Sequence, residues 1–229
     1  MNARFKPCMD ILPAAQQALW PMLCRAPELG LVLYGGTAIA LRLGHRASVD
    51  FDFFTDQPLD WEALQAAFPF VAAATVLQER PNARTLLTAP AADGMPVKVS
   101  FFGGIGFGRV GVPDLTEDGT LYVASLDDLM ATKLKVLLQR VEAKDYLDIA
   151  ALLQANVSLA RGLASARTLF GQNFQPGESL KAMVYFDGGD LVTLPPPVRN
   201  ILIDAAASVR DLPQVDVLSP KLAPTGFKG

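Results

Sequence analysis

Short apolar runs, each bounded by turn-forming residues, fill the first half of the chain. Runs of branched and aromatic residues at this length predict strands, and stretches with apolar residues three and four apart predict helices. The predicted strands are 31–34, 49–54, 71–77, 85–88 and 97–102, and the predicted helices are 11–25, 38–43 and 59–68. We therefore expect the first half to be a mixed α/β unit of about five strands.

The second half changes to the helical spacing of apolar positions. Ser125 precedes Asp128 by three residues, as in a capping box, and predicts the start of a helix that extends to Arg140. Further helices are predicted at 143–154, 158–170, 180–186 and 198–208. The pattern indicates an α+β protein, with a mixed sheet flanked by helices at 1–124, a helical domain at 125–210 and an irregular tail at 211–229.

Composition narrows the class of protein. The 229 residues are 51% hydrophobic and 19% charged, which is enough apolar material for a sizeable core. A net charge of −3 gives no general basic field, so a nucleic-acid partner would need a local patch. Two cysteines without metal-site spacing, and no apolar run of membrane-spanning length, predict a cytoplasmic protein without a membrane partner. A single histidine excludes a zinc cluster or catalytic triad built on histidine.

Two aspartates interrupt the second apolar run. In a strand, Asp50 and Asp52 point to one face while Phe51 and Phe53 point to the other. Paired carboxylates repel each other unless a cation joins them, and Mg²⁺ prefers carboxylate and phosphate oxygens. The preceding Gly-Gly turn, with the hydroxyl of Thr37, would let a phosphate approach the positive end of a helix. A solvated strand face and an ordinary turn are the alternatives, but the combination favours a triphosphate and metal site.

Two segments carry a family resemblance. The stretch LYGGTAIALRLGHRASVDFDFF resembles the signature of the DNA polymerase β-like nucleotidyltransferases. Together with LDDLMATKLKVLLQRVEAKDYLDIAALL, it resembles the AbiEii/AbiGii family, known chiefly as toxins of bacterial toxin–antitoxin pairs. The resemblance covers roughly residues 30–155 and implies a nucleotidyltransferase-like first domain.

The resemblance implies roles for the residues of the first segment. Gly35, Gly36 and Thr37 would hold the β- and γ-phosphates of a nucleoside triphosphate. Asp50 and Asp52 would ligate two Mg²⁺ ions, which stabilise the attacking and leaving oxygens in such reactions. The expected cofactor is therefore Mg²⁺, with the triphosphate as substrate.

The second segment would complete the site. The resemblance places Lys133 near the triphosphate and an acidic residue on the next helix, with Asp145 the better match and Asp148 the second. Lys133 and Arg140 are seven residues apart, so we expect them to share a helix face toward the triphosphate. A solvated helix face is the alternative for Lys133. Arg46, which lies before the aspartate strand, is a candidate for phosphate or base contact.

One position departs from the superfamily pattern. Where a later strand usually supplies a third carboxylate, this chain has Ser100. Lys98 shares the face of Ser100 and is either a charge near the site or an exposed strand residue. Two hypotheses follow: Asp145 or Asp148 supplies the base, or the chain binds nucleotide without turning it over.

The resemblance implies transfer of a nucleoside monophosphate from a triphosphate to a hydroxyl acceptor. That acceptor would be RNA, such as the tRNA 3′ end, or a protein hydroxyl, and a cognate antitoxin would be the partner. The alternatives are a catalytically impaired protein that binds nucleotide or a partner, and an enzyme that modifies a small molecule such as an antibiotic.

Overall fold

The computed structural model describes residues 3–90 and 94–224, so part of the predicted tail, 225–229, lies outside the described residues. As far as they are described, the residues form two compact units. Unit 1 takes Met1–Gly108, Val112–Ala124 and Ser219–Gly229. Unit 2 takes Arg109–Gly111 and Ser125–Leu218.

Unit 1 is built on one mixed sheet of eight strands. The strands are β1 (Arg4–Phe5), β2 (Val32–Tyr34), β3 (Asp50–Phe54), β4 (Thr75–Arg80), β5 (Ala83–Leu87), β6 (Lys98–Phe102), β7 (Asp114–Thr116) and β8 (Tyr122–Val123). Their order across the sheet is β1-β7-β8-β2-β3-β6-β5-β4. β3 is antiparallel to β2 and parallel to β6, so it is hydrogen-bonded along both of its edges.

Helices complete both units. Within the described residues they are α1 (Ala14–Leu19), α2 (Gly35–Leu43), α3 (Trp61–Ala67), α4 (Leu126–Val136), α5 (Ala143–Gln154), α6 (Leu159–Phe170), α7 (Pro176–Val184) and α8 (Pro196–Ser208). The mixed sheet with its helices confirms the predicted α+β class. In the part of the chain that the structure describes, no helix is long and apolar enough to cross a membrane.

Several element bounds differ from the predictions. The predicted helix over 11–25 divides into α1 and a 3-10 helix, Trp20–Leu23, because Pro21 cannot continue the hydrogen-bonded ladder. The predicted strand at 71–77 begins as a 3-10 helix, Pro69–Ala73, and becomes β4 only afterwards. α4 ends at Val136 and not at Arg140. The strands β1, β7 and β8 were missed because two or three residues are too few to show alternation.

Alternation along β3 separates a core face from a polar face. Phe51 and Phe53 have no exposed surface, whereas Asp50 and Asp52 are partly exposed. The ring of Phe53 stacks on that of Phe101 in β6, with centroids 5.6 Å apart. Burial of these rings holds β3 in register, so the two carboxylates must point away from this core.

A capping network holds the start of α4 in unit 2. The Ser125 hydroxyl accepts the backbone N–H of Asp128, which confirms the predicted cap. The carboxylate of Asp128 accepts the backbone N–H groups of Val110 and Gly111, at 2.8 and 3.1 Å. Burial raises the pKa of Asp128, and the hydrogen bonds from Ser125 and the two N–H groups oppose that rise only in part. This carboxylate therefore fixes a short backbone segment on the helix.

Candidate functional site

The glycine turn lies directly against one carboxylate of the predicted pair. Gly35 is the first residue of α2 and has φ +76°, in the region that favours glycine. A Cβ atom at this position would lie 2.7 Å from Oδ2 of Asp52. A side chain here would therefore displace the carboxylate. The helix begins at the glycines themselves, three residues before the predicted start at 38, so Gly36 also lies in its first turn.

Thr37 ties the start of α2 to the aspartate strand. Its side chain is 2% exposed, and its hydroxyl lies 2.7 Å from the Ser48 hydroxyl and donates to the backbone carbonyl of Asp50. The hydroxyl thus points into the fold, which does not support the expectation that it holds phosphate. The first-turn backbone N–H groups of a helix have no acceptor within the helix and favour a nearby anion, and the predicted phosphate contact at Gly35 and Gly36 stays a prediction.

The two aspartates share one face of β3, as predicted. Asp50 lies opposite Lys98 of the parallel strand β6, and Asp52 lies opposite Ser100. The Lys98 ammonium forms an ion pair with Asp50, with 2.7 Å between Nζ and Oδ2. Of the two interpretations of Lys98, the structure therefore supports a charge near the carboxylates. The side chains of Lys98 and Asp50 are 40% and 25% exposed, so the pair is open to solvent.

Ser100 occupies the place beside Asp52 where a third carboxylate was expected. It is 3% exposed, and its hydroxyl accepts a long hydrogen bond from Thr85 at 3.4 Å. Among the residues that the structure describes, no group of three or more histidine, cysteine, aspartate or glutamate side chains is placed to hold a metal ion. The carboxylates of Asp50 and Asp52 offer hard oxygen ligands of the kind that Mg²⁺ prefers, and phosphate oxygens of a bound triphosphate would supply further ligands.

Arg46 lies in the segment between α2 and β3. Its guanidinium Nη1 donates to the carbonyl of Ala47 at 2.9 Å, and the side chain is partly exposed. The segment thus carries a permanent positive charge just before the aspartate strand, and the predicted phosphate or base contact stays a prediction.

The predicted residues of unit 2 form a buried charge cluster. Lys133 is 4% exposed, and its ammonium lies 2.6 Å from a carboxylate oxygen of both Asp145 and Asp148. Both aspartates have no exposed surface. Arg140 donates two further hydrogen bonds to Asp145, at 2.8 and 3.0 Å. The two buried carboxylates thus have cationic partners, the buried ammonium of Lys133 and the partly exposed guanidinium of Arg140, as buried charges require.

This geometry changes the interpretation of the acidic pair. Burial raises the pKa of Asp145, but the hydrogen bond from Arg140 and the charge of Lys133 outweigh it and leave the pKa below its ordinary value. A buried, ion-paired carboxylate is poorly placed to take a proton from an acceptor. The burial and ion pairing of Asp145 and Asp148 therefore do not support the hypothesis that one of them supplies the base. Arg140 lies beyond the end of α4, so the predicted shared helix face is wrong.

The structure thus brings the predicted residues together in two groups. The unit 1 group comprises Gly35, Gly36, Thr37, Asp50 and Asp52, and the unit 2 group comprises Lys133, Arg140, Asp145 and Asp148. Sequence reasoning missed the closeness of Gly35 to Asp52, because it depends on how α2 packs on β3. It also missed Ser48 as the partner of Thr37. A small polar residue just before the aspartate strand was the available signal.

Comparison with known proteins finds a matching family model and a related sequence. A family model described as "Nucleotidyl transferase AbiEii toxin, Type IV TA system" matches residues 21–211, which include both motif segments. An uncharacterized protein of Aquifex aeolicus (strain VF5) is 27% identical over 157 residues, covering 68% of this chain and 73% of the relative.

Two solved structures are similar in fold to this chain. A candidate nucleotidyltransferase from H. pylori superposes with a TM-score of 0.54 at 14% identity, over 84% of this chain and 90% of that one. The nucleotidyltransferase toxin MenT4 of Mycobacterium tuberculosis H37Rv gives 0.53 at 15% identity, over 86% and 84% of the two chains. At these identities the likeness establishes the fold alone.

Proposed function

Because the chain belongs to the AbiEii family of nucleotidyl transferase toxins, we propose that it transfers a nucleoside monophosphate from a nucleoside triphosphate to a hydroxyl acceptor. The acceptor oxygen bonds to the α-phosphorus, the bond to the β-phosphate oxygen breaks, pyrophosphate leaves and the acceptor loses its proton. The observation that carries the proposal is the closeness of Gly35 to the Asp52 carboxylate, where a Cβ atom would lie 2.7 Å from Oδ2. The start of α2, which favours anions, is therefore next to a candidate metal ligand.

Different residues of unit 1 have different roles in the proposed reaction. The backbone N–H groups at the start of α2 favour the negative charge of the triphosphate, and the helix dipole adds to them. Asp50 and Asp52 would hold Mg²⁺. Such an ion, when bound, neutralises charge on the phosphate oxygens and lowers the barrier to displacement. Burial of Thr37 and Phe53 keeps helix and strand in fixed relation, so the site is formed before substrate arrives.

We favour RNA as the acceptor class, including the tRNA 3′ end, and a toxin role with a cognate antitoxin. The family description and the likeness in fold to the toxin MenT4 support the toxin role. With a pI near 5.2, the chain would hold RNA through a local basic patch, and binding would weaken as salt rises.

Label transfer tests the function. Purified full-length chain is incubated with Mg²⁺, each of the four α-labelled triphosphates and total RNA, and the labelled species are separated by size. We expect label in RNA, and Asp50→Ala or Asp52→Asn should lower transfer at least about 100-fold. Asp10→Asn is the matched control, since it removes an exposed carboxylate elsewhere in unit 1. Transfer that survives Asp50→Ala would refute the site.

Ser100 favours one alternative, nucleotide binding without turnover. In that case equilibrium dialysis would show triphosphate binding that Asp52→Asn weakens, while no acceptor takes up label. A toxic effect in cells that Asp52→Asn leaves intact would instead favour a protein that acts by binding a partner. Label in a small-molecule fraction and not in RNA would instead support an enzyme of the antibiotic-modifying kind.

A further inference from the structure

A row of four residues crosses the sheet of unit 1 beside the aspartates. Phe54 of β3 is opposite Phe102 of β6. Phe102 is opposite Ala83 of β5, and Ala83 is opposite Arg80 of β4. Residues that are directly opposite each other in neighbouring strands point to the same face of a sheet. This aromatic row therefore lies on the face that carries Asp52, which is two residues before Phe54 in the same strand.

The aromatic row is accessible to a ligand. Arg80 is exposed, and the other three residues of the row are partly exposed. Phe53 and Phe101, which lie on the other face of the same two strands, have no exposed surface. The row is thus on the side of the sheet that the core of unit 1 does not cover.

Neighbouring rings hold the two phenylalanines of the row in place. The ring of Phe54 stacks on that of Tyr34, with centroids 4.8 Å apart and planes at 16°. The ring of Phe102 meets that of Phe54 edge to face, with centroids 5.1 Å apart. Phe107 approaches Phe54 in the same way at 6.4 Å. A flat ligand that stacked on this cluster would find the rings already ordered, which lowers the entropy cost of binding.

We propose that the aromatic row binds the unpaired 3′-terminal nucleotides of an RNA acceptor, with bases stacked on Phe102 and Phe54 and a backbone phosphate beside Arg80. The inference rests on the proposed function, because it names where the acceptor of that reaction binds. Every base has a π face, so an aromatic ring stacks on single-stranded RNA with little sequence preference. The bases of a duplex are already stacked on each other and would not be available.

The row lies on the side from which the acceptor has to approach. α2 follows β2 directly, so the predicted phosphate contact at Gly35 is on the β2 side of β3. β6 is the neighbour of β3 on the other side. The attacking and leaving oxygens are roughly in line at phosphorus, so pyrophosphate that leaves on the β2 side requires an acceptor on the β6 side. There, Phe102 is two residues beyond Ser100, about 7 Å along the strand.

Polar groups on the same face favour RNA over an apolar protein surface. Ser100 is opposite Thr85, and Thr85 is opposite Gln78. Thr85 is partly exposed and Gln78 is exposed, and their side chains can hydrogen-bond with the hydroxyl groups and base edges of RNA. Lys98, with its side chain 40% exposed, adds a positive charge. Covering these groups with an apolar partner would cost their hydration without replacing it.

Fluorescence anisotropy tests the inference without relying on activity. The full-length chain is titrated, without triphosphate, into a fluorescein-labelled RNA of about eight unpaired nucleotides. We expect saturable binding that is weaker when the same RNA is annealed to its complement. Phe102→Leu keeps an apolar side chain but removes the ring, and should weaken binding about 5- to 100-fold. Phe102→Tyr should resemble wild type. Phe70→Leu, the matched control, removes a partly exposed ring elsewhere in unit 1 and should leave affinity unchanged.

Salt dependence tests the role of Arg80. Arg80→Gln should reduce the slope of log affinity against log salt by about 0.7, as expected when one phosphate contact of a single strand is lost. Arg25→Gln, which removes an exposed arginine paired with Glu28, should not change the slope. In the transfer assay, Phe102→Leu should raise the KM for RNA about 5- to 100-fold and leave the KM for the triphosphate unchanged. A merely structural role would not separate the two constants.

Cross-linking of the wild-type chain supplies a measurement that does not depend on the folding of a variant. RNA with 5-iodouracil at its 3′ end is irradiated with the chain, and the product is digested with trypsin. We expect the cross-link in the peptide 99–109, which follows Lys98, ends at Arg109 and contains Phe102.

The outcomes separate this inference from the proposed function. If the wild-type chain does not bind single-stranded RNA, if Phe102→Leu folds and keeps its affinity, or if the cross-link lies only in other peptides, the inference is wrong even when label transfer is observed. Transfer of label to a protein and not to RNA would also overturn it. If RNA binds as expected but no acceptor takes up label, the proposed reaction fails and the RNA site stands.

Discussion

Replacing Lys133 by methionine would leave two buried carboxylates without the cation between them. The ammonium contacts Asp145 and Asp148 at 2.6 Å each, and neither aspartate has exposed surface. Removing one partner of a buried ion pair costs about 3–5 kcal/mol. Arg140 keeps its two hydrogen bonds to Asp145, so the compensation of that carboxylate is lost only in part. We therefore expect Lys133→Met to lower the free energy of unfolding by about 3–5 kcal/mol.

Urea denaturation followed by far-ultraviolet circular dichroism measures this loss. Trp20 and Trp61 both belong to unit 1, so tryptophan fluorescence would not report on the helical unit. Lys135→Met is the matched control on the same helix. Lys135 donates to a backbone carbonyl at the surface, and its loss should cost about 1 kcal/mol or less. Lys133→Met with Asp148→Asn should recover about 1–3 kcal/mol, because the buried charge is removed with its partner.

The pH dependence supplies a second check. The pKa of Asp145 is lowered in the folded chain, so its stabilisation is present above the unfolded pKa and is lost as pH falls through the folded pKa. The difference between wild type and Lys133→Met should therefore narrow in acid, where the carboxylates take up protons. A variant as stable as Lys135→Met, or a difference that does not change with pH, would contradict the electrostatic account.

Three further substitutions test packing, capping and a surface network. Gly162→Ala would drive a methyl group into the Met130 side chain, so thermal unfolding should show a loss of about 1–3 kcal/mol instead of the gain that alanine usually brings to a helix. Asp128→Ala leaves two backbone N–H groups without their acceptor and should cost about 2–4 kcal/mol in urea, with Asp128→Asn costing less. Burial raises the pKa of Asp118, but hydrogen bonds from a threonine hydroxyl and from Trp20 outweigh burial and leave the pKa below its ordinary value. Asp118→Asn should therefore lose about 1 kcal/mol or less at neutral pH, and tryptophan fluorescence should show that loss vanish as pH falls through the folded pKa.

Patterns confined to one segment were predictable from the sequence. Alternation placed Asp50 and Asp52 on one face of a strand, and the capping box placed the start of a helix at Ser125. α5 has the bounds that its apolar spacing predicted, Ala143–Gln154. The family model confirms the resemblance that was drawn from two short segments. These segments could be recognised because they combine glycines and acidic residues at spacings that an ordinary core does not need.

Relations between segments were not predictable from one sequence. The parallel register of β3 and β6, which sets Lys98 beside Asp50, follows from tertiary packing that leaves no mark within either strand. Likewise, the spacing of Lys133 and Arg140 suggested one helix face, yet the helix ends between them and both reach Asp145 by different routes. Only the three-dimensional contacts distinguish a buried ammonium between two aspartates from a lysine on a solvated helix face.

The threading of the sheet limits how the protein can be divided. β8 pairs with β2, and β7 with both β8 and β1, although β7 and β8 come after residue 108. A fragment that stopped at Gly108 would therefore strip β2 of a neighbour and leave an open strand edge prone to self-association. Since the polypeptide passes between its two units at four places, a single proteolytic cut would not release either of them. Shorter versions should instead be made by deleting loops within a unit.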